Sequence, residues 1–189
     1  MVRMAVFGVY SVLGLFPIFR IFFPLILPGQ TKANYLITRL DYYSAAAKMN
    51  DLPSGGKILF LGESRSAYVK HPVIVPSRYD YNPMFDWASQ SKDSEALFAR
   101  FKEEGVQFIF CNWKEYAHLA GKTGILPIDL LPPQLLSALP KDGSAVSGNR
   151  IAKLNNHDRE ILHEFLSRHV VPIWQSSGNF YFYEIRSSK

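Results

Sequence analysis

The sequence predicts an α/β domain, a small sandwich with a mostly parallel sheet and a carboxyl-terminal antiparallel hairpin, preceded by a transmembrane helix. Three observations predict it. Short, almost wholly apolar runs alternate with helical patterns, as strands buried on both faces of a parallel sheet do. The last two such runs are separated only by a Gln-Ser-Ser-Gly-Asn turn. The first 31 residues contain no Asp or Glu and only Arg3 and Arg20 as basic residues.

Within the amino-terminal stretch, residues 4–27 form a run of 24 with 18 apolar members. A helix of that length, at about 1.5 Å per residue, reaches across the hydrocarbon core. Gly8, Gly14, Pro17 and Pro24 are compatible with a membrane helix, and Arg20 lies close enough to the end to snorkel to the headgroups. A cleaved signal peptide is the main competing reading, with Arg3 as its basic region and Ala5 to Phe19 as its apolar core, and a buried soluble helix is the third. The run continues past Arg20, and the nearest small-residue cleavage site, Thr31-Lys32-Ala33, is a weak one, which favours a retained anchor. Lys32, Arg39 and Lys48 follow the segment and only Arg3 precedes it, so charge alone would place the carboxyl side in the cytoplasm.

Residues 32–56 read as a connecting amphipathic helix and turn. Leu36, Leu40, Tyr43 and Ala47 line one face, and the Leu52-Pro53-Ser54-Gly55-Gly56 cluster ends the helix. It can pack on the following domain, lie on the membrane surface, or do both. The domain itself spans 57–189. Lys57 to Gly62 is the first buried strand, and Pro72 to Pro76 is a second whose prolines suggest a sheet edge. Asp93 to Glu104 is a helix closed by Gly105, and Val106 to Cys111 is the third strand. A short helix is expected from Trp113 to Leu119. Residues 121–156 are broken by Pro127, Pro132, Pro133 and Pro140, and a further helix opens at Asn156 or His157. Val170 to Trp174 and Phe180 to Ile185 form the hairpin.

Composition removes several function classes. Hydrophobic residues are 48% of the 189, enough for a core and too many for a disordered chain. The net charge of +5 falls to +3 once the first 31 residues are set aside, too mild and too scattered for a nucleic-acid surface. The single cysteine, Cys111, excludes an internal disulfide framework, and at a buried strand end it reads as a small hydrophobe. His71, His118, His157, His163 and His169 are dispersed, so no metal site is expected. No phosphate-binding glycine loop is present, and no cofactor is expected.

The run Gly62-Glu63-Ser64-Arg65-Ser66-Ala67-Tyr68 is the most informative local pattern. It follows the first buried strand, and ligands of open α/β sheets bind where strands end. Gly62 permits a tight turn, Glu63 and Arg65 offer opposite charges, and Tyr68 offers a stacking face. Asn112, at the end of the third strand, would join them. In a ligand site Glu63 would accept sugar hydroxyls and Arg65 would meet a phosphate or carboxylate. The structural alternative is that Glu63 and Arg65 pair with each other at the strand end. Ser64 after Gly62-Glu63 also resembles the nucleophile block of SGNH-type esterases, but the chain has no Asp-x-x-His to supply the base, which makes a hydrolase the weakest reading. A loop carrying Tyr79, Tyr81, Phe85 and Trp87 with Asp80 and Asp86 suits either sugar stacking or packing onto the sheet.

The order of these pieces is an apolar membrane segment, Tyr35-Leu36-x-x-Arg39-Leu40-Asp41-Tyr42-Tyr43-x-Ala45-Ala46, a Pro/Gly turn, strand, Gly62-Glu63-x-Arg65-x-x-Tyr68, helix, and Gly105-Val106-x-Phe108-Ile109. It resembles the carboxyl-terminal end of bacterial GT-C-type membrane glycosyltransferases related to the dolichyl-phosphate-mannose protein mannosyltransferases, over about residues 10–185. The resemblance implies a last membrane helix followed by an extracytoplasmic α/β domain, here single-pass in the inner membrane with the domain in the periplasm. That reverses the orientation drawn from charge. It implies as partners the lipid bilayer, a multi-spanning glycosyltransferase subunit, and a glycan or lipid-linked sugar. In that family the catalytic acidic residues lie in an early extracytoplasmic loop for which this chain has no matching position. The expectation is therefore a tail domain, from a truncated or split gene, that binds acceptor or partner and does not transfer sugar alone. The alternative is a non-enzymatic, membrane-tethered interaction module.

Overall fold

The computed structural model describes residues 31–53, 55–76, 82–117, 154–176 and 179–187. They belong to two compact units, Met1–Ser44 and Ala45–Lys189. The expected membrane span at 4–27 lies outside the described residues, as do Tyr79, Asp80, Tyr81, His118 and most of the proline-broken stretch. Among the described residues no helix is long and apolar enough to cross a membrane.

In the first unit, α1 covers Lys32–Arg39, and Thr31 caps it by accepting a hydrogen bond from the Asn34 N–H at 3.2 Å. The single helix expected over 32–51 is two. At Leu40 the backbone turns extended, with φ −118° and ψ 108°, and α2 follows at Tyr43–Asn50, its residues from Ala45 on belonging to the second unit. The residues of one face recur across this break, so apolar spacing could not reveal it.

In the second unit, five strands make one sheet: β1 (Lys57–Leu61), β2 (Val73–Ile74), β3 (Val106–Asn112), β4 (Val170–Gln175) and β5 (Phe180–Ile185). Their order is β2-β1-β3-β5-β4. β1 pairs parallel with β2 and β3, while β5 pairs antiparallel with β3 and β4. The sheet is thus mixed, with as many antiparallel as parallel pairings, rather than mostly parallel. The terminal hairpin is present, but it inserts β5 beside β3 and leaves β4 at the edge. Alternation of apolar runs reports burial, and burial is blind to strand direction.

Side-chain alternation gives the sheet two different faces. Leu59, Leu61, Ile109 and Cys111 point to one, where they join a single core with three helices. These are α3 (Pro83–Gln90), α4 (Ser94–Glu103) and α5 (Asn156–His169). Phe101 of α4 stacks on Phe165 of α5 at 4.6 Å and meets Trp87 of α3 edge-on at 5.0 Å. Burying each such ring contributes about 2 kcal/mol. The opposite face carries Ile58 and Phe60 of β1, Phe108 and Phe110 of β3, and Phe180 and Phe182 of β5, all buried. Phe60 and Phe110 meet at 5.0 Å and Phe108 and Phe182 at 5.5 Å, so the aromatic ladder crosses three strands.

Each helix of the core begins at a side-chain cap. Asn82 accepts from the Met84 N–H at 3.0 Å with Pro83 in the first turn, Asp93 accepts from the Ala96 N–H at 2.7 Å, and Asn155 and Asp158 form a reciprocal capping box. Helix α3 is a correction to the sequence reading, which placed Phe85 and Trp87 in a loop. Both are core residues, which removes them from any exposed sugar-stacking cluster.

Candidate functional site

The site forms where β1 and β3 end side by side. Their register pairs Leu61 with Cys111, so Gly62-Glu63 and Asn112-Trp113 leave the sheet as neighbours. Gly62 has φ +67°, and a Cβ built on it would lie 2.7 Å from the Asn112 carbonyl oxygen and 2.7 Å from the Tyr116 backbone nitrogen. Conformation and space both demand glycine there. Residues 113–117 are helical, and Asn112 Oδ1 accepts from the Glu115 N–H at 3.2 Å at the start of that turn.

The Glu63 carboxylate sits at the centre, with its side chain 4% exposed. Oε1 accepts from the backbone N–H of Ser64 and of Arg65, both at 3.0 Å, and from Arg65 Nε at 2.8 Å. Oε2 accepts from Arg65 Nη2 at 2.6 Å and from Asn112 Nδ2 at 3.0 Å. Burial by itself would raise the Glu63 pKa. The Arg65 side-chain and backbone bonds, the Asn112 bond and the Arg65 charge outweigh it and hold the carboxyl below its ordinary value.

Four of the five sequence-predicted residues, Gly62, Glu63, Arg65 and Asn112, therefore come together. Glu63 and Arg65 pair with each other at the strand end, as the structural alternative has it, and the role that changes is that of Glu63. A carboxylate has about four lone-pair positions, and the five bonds on Glu63 fill them from within the protein. Glu63 is consequently a positioning group and not an acceptor for sugar hydroxyls. Arg65, whose side chain is 44% exposed, is the member of the cluster that meets solvent. Tyr68 is tied to α2 through its backbone: its carbonyl accepts from Asn50 Nδ2 at 2.8 Å, while Asn50 Oδ1 accepts from the Lys70 N–H at 2.7 Å. The residue as a whole is 36% exposed.

Sequence reasoning missed Asn82. Buried beside the site, it donates from Nδ2 to the Phe60 carbonyl at 2.8 Å while capping α3, and so pins that helix to β1. The Asn82-Pro83 pair, a cap followed by a first-turn proline, is the signal that could have found it.

Ser64 is exposed, and among the described residues its hydroxyl has no hydrogen-bond partner, so none of them stands as the base a serine nucleophile needs. Cys111 is fully buried, and burial pushes its thiol well above the ordinary range, which suits a packing role. Among the described residues no group of three or more His, Cys, Asp or Glu side chains could hold a metal ion. No protein-family model, curated protein or solved structure matches the chain.

Proposed function

We propose that the chain is a membrane-anchored, extracytoplasmic α/β domain of the glycosyltransferase-tail type, which binds an acceptor or partner at the carboxyl end of its sheet and does not transfer sugar by itself. The observation that supports binding there is the Glu63–Arg65–Asn112 cluster, assembled at the ends of two adjacent parallel strands. In this reading Glu63 and Asn112 fix the guanidinium, and Arg65 donates to a phosphate or carboxylate of the ligand. Glu63 offsets the charge of Arg65, so recognition depends on directed hydrogen bonds more than on net charge. The apolar run at 4–27 supports the anchor.

Alkaline carbonate extraction, combined with a reporter fused after Lys189, tests anchor and orientation together. The expected result is a chain retained in the membrane with a reporter active only outside the cytoplasm. Release into the supernatant, or a reporter active in the cytoplasm, overturns the reading.

A second reading, a non-enzymatic interaction module, is favoured by one observation. Edge strand β4 exposes Val171 and Ile173 at 36% and 38% of their surface. Photo-crosslinkers placed at 171 and at 66 separate the two: capture of a protein partner from 171 alone supports the module.

A further inference from the structure

A second concavity lies on the helical face of the sheet, apart from the Glu63 cluster. Leu61, Ile109, Val170 and Tyr183 from four strands form its floor, and Met84 of α3 and Trp113 wall it. Its volume is about 130 Å³. Nearly all of the lining is apolar. Besides the Trp113 indole, the polar side chains among the described lining residues are two phenols, Tyr116 and Tyr183; the Tyr183 hydroxyl accepts a hydrogen bond from Trp113 Nε1 at 3.2 Å. That bond uses an oxygen lone pair and leaves the Tyr183 proton with no acceptor among the described residues. Burial raises the Tyr183 pKa far above the usual phenol range, so the proton stays on the oxygen.

These features select an occupant. An apolar molecule with no polar atom would fill the space and leave the Tyr183 proton unsatisfied. We infer that the cleft is a binding site for a small apolar molecule, of about the bulk of a single aromatic ring, bearing one hydrogen-bond acceptor that takes the Tyr183 proton. An apolar cavity of about 150 Å³ accommodates benzene, which sets the scale of the ring. Trp113 orients the Tyr183 hydroxyl through its own donation, so the site is set before the ligand arrives.

The test uses the full chain, labelled with ¹⁵N, and follows the Trp113 indole N–H resonance, which reports directly on the Tyr183 oxygen. Acetophenone is the probe, and ethylbenzene is its counterpart without the acceptor; both are titrated against free probe concentration. Acetophenone is expected to saturate the shift with roughly five- to tenfold higher affinity than ethylbenzene, the fold-change of one neutral hydrogen bond. Tyr183→Phe is expected to make the two probes equal, and Leu166→Trp, which fills the cleft from α5, to abolish both shifts. Absence of a saturable shift with either probe in the wild-type chain overturns the inference. So does equal affinity for the two in that chain, a preference that survives Tyr183→Phe, or binding that survives Leu166→Trp. The wild-type comparison needs no variant, so a misfolded mutant does not shield the inference.

Discussion

Asn112 Nδ2 donates to Glu63 Oε2 at 3.0 Å, joining residues 49 positions apart in the chain. The same Asn112 side chain accepts from the Glu115 N–H at the start of the following helical turn. One buried amide thus locks the end of β3 to the end of β1 and to the turn beyond. Arg65 is held in place because Glu63 is, and Glu63 is held partly because Asn112 is.

Asn112→Ala removes both bonds and leaves a Glu63 lone pair and a backbone donor short of partners. A loss of about 2 kcal/mol in unfolding free energy is expected from urea titration. Asn112→Asp is expected to cost more at neutral pH, because it sets a second carboxylate against Oε2. A wild-type midpoint for the Asp variant would show that the amide bond contributes nothing.

Gly62→Ala meets two obstacles, a backbone at φ +67° and a Cβ driven into the Asn112 carbonyl and the Tyr116 backbone nitrogen. These are main-chain atoms and cannot rotate away. A loss of about 3 kcal/mol is expected, read as a lowered thermal midpoint.

Stability should depend on pH through Glu63. Its folded-state pKa is depressed, so the unfolded chain binds the proton more readily than the folded one. The contribution is fully present above the unfolded-state pKa and is lost as pH falls through the folded-state value. Since Arg65 is substantially exposed, solvent screening keeps the effect modest. The difference in unfolding free energy between wild type and Glu63→Gln is expected to shrink steadily as pH drops below the ordinary glutamate range. A constant difference down to acid pH would contradict the ion-pair account.

Much of this arrangement was legible in the sequence because it rests on local patterns. Phe180 to Ile185 and Val106 to Cys111 are apolar runs whose bounds match β5 and β3 to within a residue. Gly62, Glu63, Arg65 and Asn112 were foreseen as neighbours because strand ends in open sheets converge. The division of labour among them was not legible. Whether Glu63 receives a ligand or its own chain depends on where the Arg65 guanidinium folds back, a matter of rotamers that spacing does not carry. Helix α3 was hidden because its eight residues, PMFDWASQ, combine aromatics that favour strands with a proline that reads as a breaker. The cap at Asn82 and the tertiary bond to Phe60 decide in favour of helix. The sheet order was hidden too, since nothing in the apolar runs says that β5 and not β4 lies against β3.

In the proposed function, Glu63 and Asn112 fix Arg65 as the ligand-facing donor of the site. Titration of the full ¹⁵N-labelled chain with glucose 1-phosphate, following the Arg65 Nε–H and the amides of 62–68 and 112–113, tests it most directly. A saturable shift confined to these groups is expected, lost in Arg65→Ala and weakened at least threefold in Arg65→Lys, whose ammonium cannot reproduce the planar fork that Glu63 holds. No saturable shift in the wild-type chain, or the same shift in Arg65→Ala, would contradict it.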